Sequence, residues 1–177
     1  VSDRVSVEKS YRRTLSTMVR PDSPARRSRS THRSASRCTS SPTRIRSWMS
    51  TSYVSSTDTV YVANSSDGSV KLFQGPDLKV AGSIDLGDDA DNVRVNDVSQ
   101  QVVVGYGDGA LAILDAVSHA KIATIPLKAH PESFRIEATG RRIYVNVPRA
   151  HEIAVVDQGA RKQIAAWPTG ELTANFP

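Results

Sequence analysis

Three copies of one unit lie end to end in the C-terminal part of this sequence, and their spacing constrains the fold more than any other feature. The first reads TVYVANSSDGSVKLFQGPDLKVAGSIDL, the second QVVVGYGDGALAILDAVSHAKIATIPL and the third RIYVNVPRAHEIAVVDQGARKQIAAWP. Val60, Val102 and Ile143 correspond, at offsets of 42 and 41 residues. Gln74, Asp115 and Asp157 correspond at 41 and 42; Ile84 and Ile125, like Val93 and Phe134, are 41 apart. A period of this length, built from short alternating segments, is that of a four-stranded β-propeller blade. Helical repeats of similar length are excluded. The units carry Val, Ile, Gly and Thr at period two, and no stretch shows the 3.6-residue period of a helix.

Within the first unit the pattern predicts strands over residues 60–63, 70–73 and 80–86. Residues 92–95 then open the next unit as its inner strand, with 133–136 and 175–176 as counterparts. Ser65-Ser66-Asp67-Gly68 supplies the first hairpin, because Asp-Gly accommodates the positive φ of a tight turn. The blades are placed at about 53–91, 92–132 and 133–174, and 175–177 starts another. Two units have four predicted strands. The first has three, because the residues before Tyr53 belong to a stretch of different composition. Three blades do not close a propeller, which typically needs roughly 4–8, so both ends are expected to be cut and the remaining blades to be missing from this chain.

Residues 1–50 hold 12 Lys+Arg against 3 Asp+Glu, with 13 Ser and no Gly. Residues 51–177 hold 11 against 15, so the formal net charge of +5 is a sum of +9 and −4. Apolar residues in PARRSRSTHRSASRCTSSPTRIRSW are single and aperiodic. Such a segment buries too little to offset the entropy of ordering, and residues 1–52 are expected to be a disordered basic Arg/Ser-rich segment. Its readings are an out-of-frame or misassigned start, an ordinary solvated tail, a nucleic-acid-binding arm or a transit peptide. No aromatic platform interleaves the arginines, so nucleic acid is the less expected partner. Tyr11-Arg12-Arg13-Thr14-Leu15 has a faint twin-arginine look, but Arg20, Pro21 and Asp22 occupy the place of its apolar region, and no signal peptide is read. The lone Cys38 excludes an intrachain disulfide framework and a zinc ribbon. No apolar run approaches the roughly 18 residues of a membrane span.

The motifs VYVAN, IYVNV, AVVD and KIATIPL, with the blade-linking DDADNVR and AHPESFR, resemble the YVTN-family β-propellers, a bacterial branch of the WD40/YVTN repeat-like superfamily. The resemblance covers residues 53–177. It implies an all-β propeller of about seven blades, commonly exported to the periplasm or secreted. The haem-binding propeller of nitrite reductases and the quinoprotein amine dehydrogenases share the superfamily. The first fifty residues match neither a blade nor a leader.

Equivalent loops of neighbouring blades lie on one face of a propeller, so the connections GDDADN and KAHPES are the candidate site. Asp88, Asp89, Asp91 and Asn92 come from the first, His130, Glu132 and Ser133 from the second. Asp91 aligns with Glu132 and Ser133 with Asn175. Such oxygen-rich groups could grip a polar ligand or a hard cation, and His130 could serve a transition metal. The bland alternative is that Asp and Asn simply make turns. The spacing does not match an EF-hand loop. Arg94 and Arg135 align on successive inner strands as a candidate anion-binding pair, against the alternative of salt bridges to adjacent acids. Gly105-Tyr106-Gly107-Asp108-Gly109 reads as a hairpin, because no helix follows to receive a phosphate. His119 and His151 read as exposed loop residues, and Trp167, aligned with Ile125, as core. No nucleophile motif of the Gly-x-Ser-x-Gly kind is present.

The expected function is therefore a non-enzymatic module that binds an unidentified small molecule or protein through the loops of one face. No catalytic residue, metal or cofactor is assigned. The alternatives are a piece of a haem- or quinone-dependent oxidoreductase propeller, and nucleic-acid binding through the basic arm.

Overall fold

The computed structural model describes residues 50–172. The expectations placed on residues 1–49, on Asn175 and on the inner strand at 175–176 lie outside them.

The described residues form three four-stranded antiparallel sheets, each built from four consecutive strands, as in propeller blades. The first sheet contains β1 (Thr51–Val54), β2 (Thr59–Asn64), β3 (Ser69–Gln74) and β4 (Lys79–Asp85). The second contains β5 (Asn92–Asn96), β6 (Gln101–Tyr106), β7 (Ala110–Asp115) and β8 (Lys121–Pro126). The third contains β9 (Ser133–Ile136), β10 (Arg142–Val147), β11 (Glu152–Asp157) and β12 (Lys162–Pro168). The repeat also governs irregularity. The pairing of third and fourth strands shifts between Leu72 and Phe73, between Ile113 and Leu114, and between Val155 and Val156. A bulge at the same place in each blade gives the outer strand an extra residue and increases its twist.

Alternation along the strands decides which joint each side chain fills. Tyr61, Val70 and Leu72 of the first blade meet Val93, Val102 and Val104 of the second in one core cluster. Val103, Leu111, Ile113 and Ile125 face the other way and meet Phe134, Ile143 and Val145 of the third. The second blade is thus buried on both faces, which is why β6 and β7 read as nearly unbroken apolar runs. Each fully buried aliphatic side chain contributes about 1.5–3 kcal/mol of transfer free energy. Buried amides tie the second and third blades at the end opposite the blade-linking connections. Asn96 Nδ2 donates to Gly140 O (2.7 Å) and Gln158 Oε1 (2.8 Å), while Gln158 Nε2 donates to Gln101 Oε1 (2.6 Å) and Ser99 Oγ (3.1 Å).

Two expectations are corrected. The first blade has its inner strand: β1 pairs with β2 from Thr51↔Val62 to Val54↔Thr59. Its serines look like the preceding composition but bind the next blade. Ser52 Oγ donates to Val93 O (2.8 Å), and Val93 N donates to Ser50 Oγ (3.2 Å). Trp167 is not core. It is 51% exposed, whereas the aligned Ile125 is fully buried. The third blade covers Ile125; among the described residues no further sheet covers Trp167, which instead rests on the Tyr144 ring at 5.5 Å between centroids. Among the described residues no helix is long and apolar enough to cross a membrane.

Candidate functional site

Antiparallel strands taken in order bring alternate turns to the same end of each sheet. The β2–β3, β6–β7 and β10–β11 turns therefore share one end with the β4–β5 and β8–β9 connections. Together they enclose an open recess of about 470 Å³. Ser65 and Ser66 line it from the first hairpin, Gly107 and Asp108 from the second, and Arg149 from the 3₁₀ turn Pro148–Ala150. Asp88, Asp89 and His130 enter from the connections.

Glycine permits the close fit. Gly68 has φ +66°, and a Cβ there would lie 2.3 Å from the Asp88 amide nitrogen. The first hairpin is thus held directly on the β4–β5 connection. Gly107, in the reading of 105–109 as a hairpin, does close the β6–β7 turn, and its amide donates to Asp88 O at 3.1 Å.

His130 joins the two connections. Its side chain is only 10% exposed. Nδ1 donates to Gly107 O at 2.5 Å, with Asp89 Oδ2 3.7 Å away, and Nε2 faces Asp91 Oδ2 at 3.4 Å. Both ring nitrogens thus face acceptors, which an imidazolium satisfies and a neutral ring does not. The Asp91 carboxylate pushes the His130 pKa up to about 9, against burial and helped by Gly107 O and Asp89. Asp91 Oδ1 accepts from Asn92 Nδ2 (2.6 Å). Asn92 Nδ2 also donates to Glu132 O, and Glu132 N donates to Asn146 O (3.1 Å).

Of the residues singled out from sequence, Asp89, Asp91, Asn92 and His130 therefore meet. Glu132 joins them through its main chain. Among the described residues no group of three or more His, Cys, Asp or Glu is arranged to hold a metal ion. Arg94 and Arg135 stand at the same register of adjacent inner strands, opposite Val103 and Tyr144. Among the described residues neither has a carboxylate at ion-pair distance. Of the two loop histidines, His151 is exposed, whereas His119 lies half-buried with Nδ1 2.6 Å from the hydroxyl of buried Tyr61.

Sequence reasoning missed the hairpin contribution of Ser65, Ser66, Asp108 and Arg149. The signal was available, because Asp67-Gly68 aligns with Asp108-Gly109 at the repeat offset of 41. The recess carries three carboxylates, Asp88, Asp89 and Asp108, against Arg149 and the imidazolium. It is a polar, net acidic cup that suits a hydrogen-bond donor or a positively charged group.

No protein-family model matches this sequence, and no curated protein does. Solved structures do match the fold. One, titled Kuenenia stuttgartiensis hydrazine synthase, superposes with a TM-score of 0.61 at 18% identity. The match covers 66% of this chain and 34% of that one. The chain thus spans about a third of that structure's length, and the likeness is one of fold.

Proposed function

We propose that this chain is part of a YVTN-type propeller that binds a ligand or protein partner in the acidic recess, taking a cationic group of that partner. The motifs VYVAN, IYVNV and AVVD support the family, and the family supports a periplasmic or secreted setting. The observation that carries the function is the convergence of three turns and two connections on one recess whose rim carboxylates outnumber its cations. His130 acts as a brace: its charge is spent on Gly107 and Asp91. Asp88 and Asp108 are then the rim acids left to meet a ligand's ammonium or guanidinium.

Calorimetric titration of the full chain with Nα-acetyl-lysine methylamide tests this. Saturable binding should weaken at least roughly 10-fold in Asp88→Asn/Asp108→Asn, about 1.4 kcal/mol for two charge-assisted contacts. Equal binding by parent and variant would overturn it.

A reading as an oxidoreductase fragment draws on the likeness to a structure titled hydrazine synthase. Nucleic-acid binding by the basic arm would be revealed by loss of single-stranded DNA binding on deleting residues 1–49.

A further inference from the structure

We infer that Arg94 and Arg135 form an oxoanion-binding pair on the inner strands, separate from the acidic recess and independent of the function proposed for it. Repeat geometry places them together. Arg94 pairs across β5–β6 with Val103 and Arg135 across β9–β10 with Tyr144, and these partners are themselves one repeat apart. The first blade has Ser52 at this position.

The Arg94 guanidinium is fixed along one edge. Nη1 donates to Val93 O at 2.8 Å and to Ser50 Oγ at 3.3 Å. Its central carbon sits 5.9 Å from the centroid of the Phe134 ring, the residue before Arg135. Those contacts occupy Nη1 and leave the Nε and Nη2 hydrogens, the edge that binds oxoanions in a bidentate manner. Arg135 is exposed.

The pair carries two like charges without a matching acid. The charge of Asp91 favours charged Arg94, but its carboxylate is engaged by His130 and Asn92. Burial and then the charge of Arg135 push the Arg94 pKa down from the usual arginine range. A pre-oriented, partly desolvated guanidinium beside a second one is an arrangement that a bound sulfate, phosphate or carboxylate relieves. The fixed edge lowers the ordering cost of binding.

The test uses the full chain and follows thermal unfolding in sodium sulfate, in sodium acetate and in sodium chloride at matched ionic strength. The parent should show a saturable rise in Tm in an oxoanion, beyond that in chloride, of about 4 °C at ten times Kd. A sulfate response alone assigns a tetrahedral anion such as a phosphate group; an equal acetate response assigns a carboxylate. Arg135→Gln should abolish the excess while leaving the protein in chloride at least as stable as the parent, since it removes a repulsion. That comparison holds the arginines of residues 1–49 constant. Arg94→Gln should abolish it too; should that variant fail to fold, Arg135→Gln decides. No excess over chloride in the parent, or an undiminished excess in Arg135→Gln, would overturn the pair as an anion site.

Discussion

His130 reaches across 39 residues of sequence to place its Nε2 3.4 Å from the Asp91 carboxylate, while its Nδ1 holds the carbonyl of Gly107. One side chain thereby ties the second-to-third blade connection to the first-to-second one and to the hairpin between them. The recess keeps its shape because its floor is cross-braced by a charge.

The brace makes stability pH-dependent in a stated direction. The folded pKa of His130 is raised from 6.5 to about 9. Its contribution is fully present below 6.5 and is lost as pH rises through about 9. For this nearly buried ring the loss is about 3 kcal/mol. Urea unfolding across that window should show the fall in the parent, and His130→Gln should be less stable below pH 6.5 and flat across it. A parallel fall in the variant would assign the pH dependence elsewhere.

Gly68 and Gly75 separate backbone conformation from contact. Both have positive φ, +66° and +74°. An added Cβ at Gly75 meets nothing within 4 Å, whereas at Gly68 it strikes the Asp88 backbone. Gly75→Ala should cost about 1 kcal/mol from strain alone, and Gly68→Ala at least roughly 2 kcal/mol. Denaturant midpoints compare them, and equal costs would mean that the hairpin does not bear on the connection.

Ile125 and Trp167 occupy one repeat position with opposite burial. Ile125→Ala should therefore destabilise by about 2–4 kcal/mol as a core cavity. Trp167→Ala should cost about 1 kcal/mol or less, although the residue removed is larger. The comparison reads which joint holds the described blades together.

Period-two alternation and the 41–42-residue offset placed the ranges 60–63, 70–73, 80–86, 92–95 and 133–136 to within one residue of β2, β3, β4, β5 and β9. They also placed the Asp-Gly hairpin, because turn chemistry at Gly68 is local. β1 was missed, since Thr51 and Ser52 continue the serine-rich composition and gain strand character from partners in β2 and the second blade. Trp167 was misplaced because burial belongs to the joint: its repeat mate Ile125 is buried by a sheet that follows it. The candidate connections were legible as loops of one face. The pairing inside them was not. Alignment matched Asp91 with Glu132, one repeat apart, while the contact that forms joins Asp91 to His130 across an offset that no repeat register predicts.

Amide chemical-shift mapping of the isotopically labelled full chain during titration with Nα-acetyl-lysine methylamide tests the central claim most directly. The account predicts saturable shifts confined to Ser65, Ser66, Asp88, Asp89, Gly107 and Asp108, with the turns at the opposite end, around Gln100 and Gly140, unmoved. Shifts centred on those opposite turns, or none that saturate, would contradict it.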